Sequence, residues 1–179
     1  MILTGPRIVL RPLTDADAAD FAAMNGDAEV MRHFPKPLGH AESEAFRARI
    51  ARMFEDQGYG FWGVFPRAGG PLCGMVGLNA VPFPAHFAPN VEISWRIARA
   101  HQRQGLAEEA ARLCLDAAFG PLGLPEVVAW TVPANEPSWR LMEKLGLRPD
   151  GEFADPRMAP DEPKRIQRLY RIAAADWRG

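Results

Sequence analysis

The chain has only two cysteines, Cys73 and Cys114. They stand far apart in apolar contexts without CxxC spacing, which excludes a disulfide framework and reads as two buried thiols in a reduced, cytoplasmic setting. Histidine is equally scarce. None of the four is paired at HxxxH spacing, so no metal site is expected. Charge of one sign is not in excess. With 21 Lys and Arg against 22 Asp and Glu, no global field calls for nucleic acid or an anionic membrane as partner. No apolar run approaches the roughly 18–20 residues of a membrane span. Arg7 and Arg11 interrupt the early apolar residues where a secretory leader needs an unbroken core. Internal repeats and low-complexity linkers are absent as well.

What remains is an ordinary globular composition, 47% apolar and 24% charged over 179 residues. That length fits one domain, residues 1–179, able to bury a core without covalent staples. "RIVLRPL" reads as a strand, and "TDADAADFAAMNG" as a helix with Thr14 and Asp17 forming a capping box and Gly26 as its stop. "EVMRHF" suggests a further helical turn, broken by Pro35 and Pro37. Phe46, Ile50, Met53 and Phe54 recur at helical spacing between His40 and Gly58. "GFWGVFP" and "LCGMVGLNAV" read as a hairpin around "RAGGP". In "NVEISWRIA", Val91, Ile93, Trp95 and Ile97 alternate with Glu92, Ser94 and Arg96. A helix, the strand "EVVAWTVP", the helix "NEPSWRLMEKLG" and two closing strands follow. The order predicts an α+β (mixed α/β) layered domain around one central sheet.

The turn "QRQGLA", Gln102 to Ala107, runs directly into the helix that begins "AEEAARLCLDAAF". A helix start carries about four backbone N–H groups without intrahelical partners and roughly half a positive charge. Gly105 would let a ligand approach without a Cβ in the way. The segment therefore suits either a plain helix entrance or a cradle for a phosphate or pyrophosphate. Glu108 and Glu109 favour the first turn through the dipole but would repel an anion if they faced it. With no GK[ST] and one glycine, it is neither a Walker loop nor a dinucleotide fingerprint.

Gln102, Gly105 and Ala107 match the Q/R-x-x-G-x-G/A signature, and together with "RIVLRPLTDADAADF", "EISWRIA", "NEPSWRLMEKLGLRPDGEF" and "RLYRIAAADW" the chain resembles the GNAT superfamily of acyl-CoA-dependent N-acyltransferases. It looks most like the branch that contains ribosomal-protein N-terminal acetyltransferases. The resemblance implies a single central, mostly antiparallel twisted sheet of about six to seven strands flanked by helices, with a splayed central strand pair, and acetyl-CoA as co-substrate. Its pyrophosphate would lie on the N–H groups of Arg103, Gln104, Gly105, Leu106 and Ala107, next to Gln102. Its pantetheine arm would pair along Trp95 and Ile97 as an added strand, and Asn135 would bond that arm while also suiting a helix N-cap.

Glu92 would act as general base on the acceptor amine, directly or through water, with an exposed or ion-paired strand glutamate as the competing reading. Many family members carry a tyrosine acid just before the "EKLG"-like segment. Here Leu141 and Met142 stand there, and Ser138 is left to hydrogen-bond the sulfur, or merely to start the helix. His33, Phe34, Trp62 and Phe83 would line the acceptor pocket, although for each aromatic a place in the core outweighs a place at the site. The proline-rich "VPFPAHFAP" could cover the acceptor. "DPRMAPDEPKR" departs from the histidine-containing pattern of the branch. The implied activity is acetyl transfer to a primary amine, on a small molecule or a protein N-terminus. The alternative is a non-catalytic acyl-CoA-binding domain, motivated by the missing tyrosine. Exposed terminal strands offer an edge for a homodimer.

Overall fold

The computed structural model describes residues 1–179. Eight strands form one open sheet: β1 (Leu3–Thr4), β2 (Ile8–Arg11), β3 (Phe61–Pro66), β4 (Gly74–Ala80), β5 (Val91–Ile97), β6 (Glu126–Thr131), β7 (Arg148–Ala154) and β8 (Ile166–Ala173). Their order across the sheet is β1-β2-β3-β4-β5-β6-β8-β7. All neighbours are antiparallel except β5 and β6. The sheet thus has more strands than the six to seven expected, and the two-residue β1 is the element that no periodicity announces. Four helices flank it: α1 (Ala18–Gly26), α2 (His40–Gln57), α3 (Leu106–Phe119) and α4 (Glu136–Lys144). No helix is long and apolar enough to cross a membrane.

Local chemistry accounts for most boundaries. Thr14 and Asp17 form the capping box as read, with Asp17 also clasped by Arg11 at 2.7 Å. Helix α2 ends at Gly58, whose φ of 76° places it in the left-handed region. The segment from Glu29 to Phe34 forms turns and no regular helix, held by Met31 N–H to the Asp27 carbonyl and Phe34 N–H to the Met31 carbonyl. The prolines beyond it stop propagation before a helix can nucleate.

Strand alternation sends successive side chains to opposite faces. Trp62, Val64, Val76, Leu78, Ile93, Val127 and Ala129 join the larger core with α3 and α4. Ala110, Ala111 and Ala118 of α3 are wholly buried there, and their small side chains let the helix lie close to the sheet. Phe61, Phe65 and Met75 point the other way, into a second core with Phe21 and Ile50. A third cluster joins Phe83 and Phe87 from the β4–β5 connection to Val128 and Leu169.

Trp62, a candidate for the acceptor pocket, does not line it and is a core residue. It is fully buried, and its Nε1 donates to the Met1 carbonyl at 3.1 Å. Phe83 is likewise buried, packed against Phe87, Trp130 and Phe153. The proline-rich connection seals the sheet face over β6 and β8. It lines no part of the main cleft.

Gly77 of β4 lies in register with Phe61 of β3. A Cβ there would overlap the Gly60 carbonyl oxygen and Phe61 Cα, both backbone atoms. Gly77→Ala is expected to lower unfolding free energy by about 1–3 kcal/mol, measured by urea denaturation. Gly26→Ala, whose Cβ would meet only the Leu38 carbonyl oxygen at 3.6 Å, is expected to stay within about 0.5 kcal/mol of the parent.

Candidate functional site

Strands β5 and β6 leave the sheet with a gap. Their parallel pairing contains one register position, Glu92 opposite Val128, and the strands then diverge. β5 remains paired with β4 along its whole length, from Val91 to Ile97. Its other edge, along Trp95 and Ile97, therefore has no strand neighbour. At its end lies the QRQGLA turn, and a cleft of about 900 Å³ connects the two.

The turn is built to keep its N–H groups free. Gly105 has a φ of 76°, in the left-handed region where a side chain is strained, and Arg103 adopts 59°. The backbone N–H groups from Arg103 to Glu108 have no acceptor within the protein, while the loop itself is braced from behind. Gln102 Nε2 donates to the Ile97 carbonyl at 3.1 Å, Gln104 Nε2 to the Ala100 carbonyl at 3.0 Å, and Arg7 Nη1 to the Gln104 carbonyl at 2.8 Å. The two glutamates that could repel an anion are neutralised by neighbours. Glu109 pairs with Arg7 at 2.7 Å, and Glu108 with Lys144 at 2.6 Å. Free N–H groups at the positive end of α3 form an anion-binding concavity.

Helix α4 supplies the opposite wall. Asn135 lines the cleft, and its Nδ2 donates to Thr131 Oγ1 at 2.9 Å. The side chain does not cap the helix as expected. The Asn135 carbonyl instead takes the first bonds, from the N–H groups of Ser138 and Trp139. Ser138 and Leu141 both face the cleft.

Glu92 stands at the point where the strands part. It makes no ion pair or hydrogen bond, and loss of hydration among the surrounding protein pushes its carboxyl up to about 8. Arg157 opposes that rise, and the charge of Asp155 adds to it. Both belong to the β7–β8 connection. Asp155 is 1% exposed and accepts Arg157 Nε at 2.9 Å and Nη2 at 2.6 Å. Burial works to raise the Asp155 carboxyl, but these bonds outweigh it and hold the group below its usual range. The Arg157 guanidinium lies 4.7 Å from the Phe83 ring centroid. Phe83 therefore supports a cleft residue from behind instead of lining the cleft.

On the acceptor side, His33 and Phe34 line the cleft. Burial lowers the His33 pKa, and repulsion by Arg32 and Lys164 adds to the effect. Arg96 projects from β5 beside them. It was legible only as one polar member of an alternating strand, and Asp155 and Arg157 only as part of an atypical loop. Glu92, Ser138, Asn135, His33, Phe34 and the turn share this cleft, whereas Trp62 and Phe83 stand outside it. No group of three or more His, Cys, Asp or Glu side chains is arranged to hold a metal. The arrangement joins an anion cradle, an open strand edge and a desolvated carboxylate.

Residues 7–148 match the family described as the acetyltransferase (GNAT) domain. The Bacillus subtilis (strain 168) protein YoaA, described as an uncharacterized N-acetyltransferase, is 31% identical over 153 residues, covering 84% of each chain. A GNAT-family acetyltransferase from Bacillus anthracis has the same fold, with a TM-score of 0.80 at 22% identity over 98% of this chain and 99% of that one. Ribosomal-protein-S5-alanine acetyltransferase from Vibrio fischeri also shares it, with a TM-score of 0.76 at 17% identity over the full length of both.

The raised Glu92 carboxyl makes stability depend on pH. Between its ordinary value of 4.5 and about 8, the folded protein holds a proton that the unfolded chain releases, so stability falls as pH rises through that window. Glu92→Gln removes the penalty. It is expected to match the parent at pH ~4 and to exceed it at pH ~9 by on the order of 2–4 kcal/mol, measured as the urea midpoint at each pH.

Proposed function

The chain belongs to the acetyltransferase (GNAT) family and is an acetyltransferase, and from that premise we propose that it moves the acetyl group of acetyl-CoA to a primary amine, with residues 1–179 acting as one catalytic domain. The observation that carries this reading is the continuity of one cleft. It runs from the free N–H groups of Arg103 to Glu108, past the unpaired edge of β5, to Glu92.

The residues present fit the co-substrate. The turn suits a pyrophosphate, and the edge along Trp95 and Ile97 suits an extended arm with amide groups of its own, joined by backbone bonds in the manner of an added strand. Asn135 has its Nδ2 engaged with Thr131, which leaves its Oδ1 to accept from such an arm. Acetyl-CoA supplies an activated acyl thioester.

An amine arrives as an ammonium ion and must lose a proton before its nitrogen lone pair can attack. Glu92, with a carboxyl poised at about 8, is placed to take that proton directly or through one water. The Ser138 hydroxyl, on the same cleft wall as Leu141, donates a hydrogen bond to the departing sulfur. The acceptor is a small-molecule amine or a protein N-terminus.

Isothermal titration with acetyl-CoA, CoA and dephospho-CoA tests the donor site. Saturable binding of the first two is expected, weakened at least ~10-fold by Gly105→Trp, because the left-handed backbone strains any side chain there and its Cβ would press on Arg7, which braces the turn. Absence of saturable acetyl-CoA binding by the parent protein would sink the reading.

Turnover followed by thiol release tests the base. The parent's log kcat/KM is expected to rise with unit slope up to an inflection near 8. Glu92→Gln should lose that limb and run roughly 10²–10³-fold slower. An unchanged rate in this variant would remove Glu92 from the mechanism while leaving the donor site standing.

A further inference from the structure

We propose that Arg96 is a docking point for a carboxylate on the acceptor, so that the acceptor class is an amine that also carries a carboxylate. This rests on the acetyl-transfer reading above, which supplies the donor and the need for an amine.

Arg96 is 8% exposed, yet no Asp or Glu forms an ion pair with it. A guanidinium removed from water without a counter-ion is costly, and burial alone lowers its pKa to about 10. Its one hydrogen bond runs from Nη1 to Asn25 Oδ1, and Asn25 Nδ2 is in turn held by Ser43 Oγ at 2.8 Å. The Phe34 ring centroid lies 4.3 Å from the guanidinium carbon, which orients the group.

These contacts explain one edge of the group and leave another unexplained. Nε is buried without any partner, and Nη2 donates to nothing. Nε–H and Nη2–H are the two parallel donors of the guanidinium's side-on fork, whose spacing matches the two oxygens of a carboxylate. A purely structural arginine tying β5 to α1 and α2 would need Nη1 alone.

The surrounding charge points the same way. Glu29 is paired with Arg32 at 3.5 Å, Glu42 with Lys36 at 2.5 Å and Asp155 with Arg157 at 2.6 Å. Glu92 lacks a partner but holds a proton below about 8. Among the cations of this wall, Arg49 faces only the Phe46 ring, at 4.8 Å, and Arg96 has no acid at all. The wall therefore has uncompensated positive charge. One negative charge on Arg96 satisfies the fork. A phosphate would bring a second charge, and Arg32 and Arg157 are already committed to acids.

Glu92 and Arg96 stand on the same face of β5 with Ser94 between them. Their Cα atoms are separated by about 13 Å at ~3.3 Å per strand residue, a distance both side chains can shorten. A carboxylate on Arg96 would leave the rest of the molecule running along the strand toward the base, with its amine at the far end.

The test is calorimetric titration of the parent protein, with and without CoA, using straight-chain ω-amino carboxylates of increasing length, each paired with its primary amide. The parent is expected to bind at least one acid ~10–100-fold more tightly than its amide. Arg96→Lys, which keeps the charge and loses the fork, should reduce that ratio to below about threefold, as should Arg96→Gln. Titration of both variants with CoA reports whether they remain folded, and the acid-against-amide comparison in the parent stands without them. Where turnover is observed, the preference is expected in KM and not in kcat.

Equal binding of acid and amide at every length overturns the proposal. So does tighter binding of the matching ω-amino phosphonates than of the acids. If CoA binds while the acids show no preference, the Arg96 assignment fails alone. If CoA does not bind, the acetyl-transfer reading fails, and titration without CoA still decides whether Arg96 takes a carboxylate.

Discussion

Backbone N–H and C=O groups inside a fold need partners, and the middle of this sheet withholds them. β5 and β6 meet at Glu92 and Val128 and then separate, so one edge of β5 has hydrogen-bonding groups facing a cleft in place of a strand. Connectivity places a helix start beside this gap. A parallel pair needs a crossover, here α3, and α3 begins with the QRQGLA turn at the very end of β5. The free strand edge and the free helix N-terminus are therefore adjacent by construction. A ligand that is anionic at one end and amide-bearing along its length satisfies both.

The same separation sets the electrostatics. Glu92 is the one residue of β5 in register with β6, at the point where the gap opens, and its carboxylate lines a cleft walled by protein from several elements. It is dry enough to be pushed up to about 8 without any ion pair to pull it back. Arg157 limits the rise, and its own position is fixed by nearly buried Asp155 below and the Phe83 ring beside it. The β4–β5 and β7–β8 connections thus meet at one point. The aromatic cluster of Phe83, Phe87, Trp130 and Phe153 is the rigid support on which the loop carrying Arg157 rests. Packing residues and chemistry-bearing residues are distinct here, although aromatic type alone does not separate them.

Much of the fold was readable in advance because its signals are local. Period-two alternation in "NVEISWRIA", the Thr14–Asp17 capping box and the glycine stops at Gly58 and Gly146 depend on a few neighbouring residues, and the structure has all of them. The segment from Glu29 to Phe34 goes no further than turns because apolar spacing over six residues is too short to outweigh the prolines that follow. Trp62 and Phe83 take the core place that outweighed the pocket for each aromatic; which elements stack above a strand decides between the two, and sequence spacing does not contain that information.

Local sequence carries the helix-opening glycine turn, the strand bearing Glu92 and the family resemblance those features share. Each is set by backbone geometry and side-chain pattern within one segment. The parting of β5 and β6, the unpaired Glu92 in its cleft, the approach of Arg157 from the far end of the chain and the burial of Arg96 with two of its three guanidinium nitrogens unpartnered all come from tertiary packing. Desolvation and charge pairing depend on every element packed around a group. They arise from the convergence of α1, α2, β5, α4 and the β7–β8 connection, and no single stretch of residues encodes that convergence.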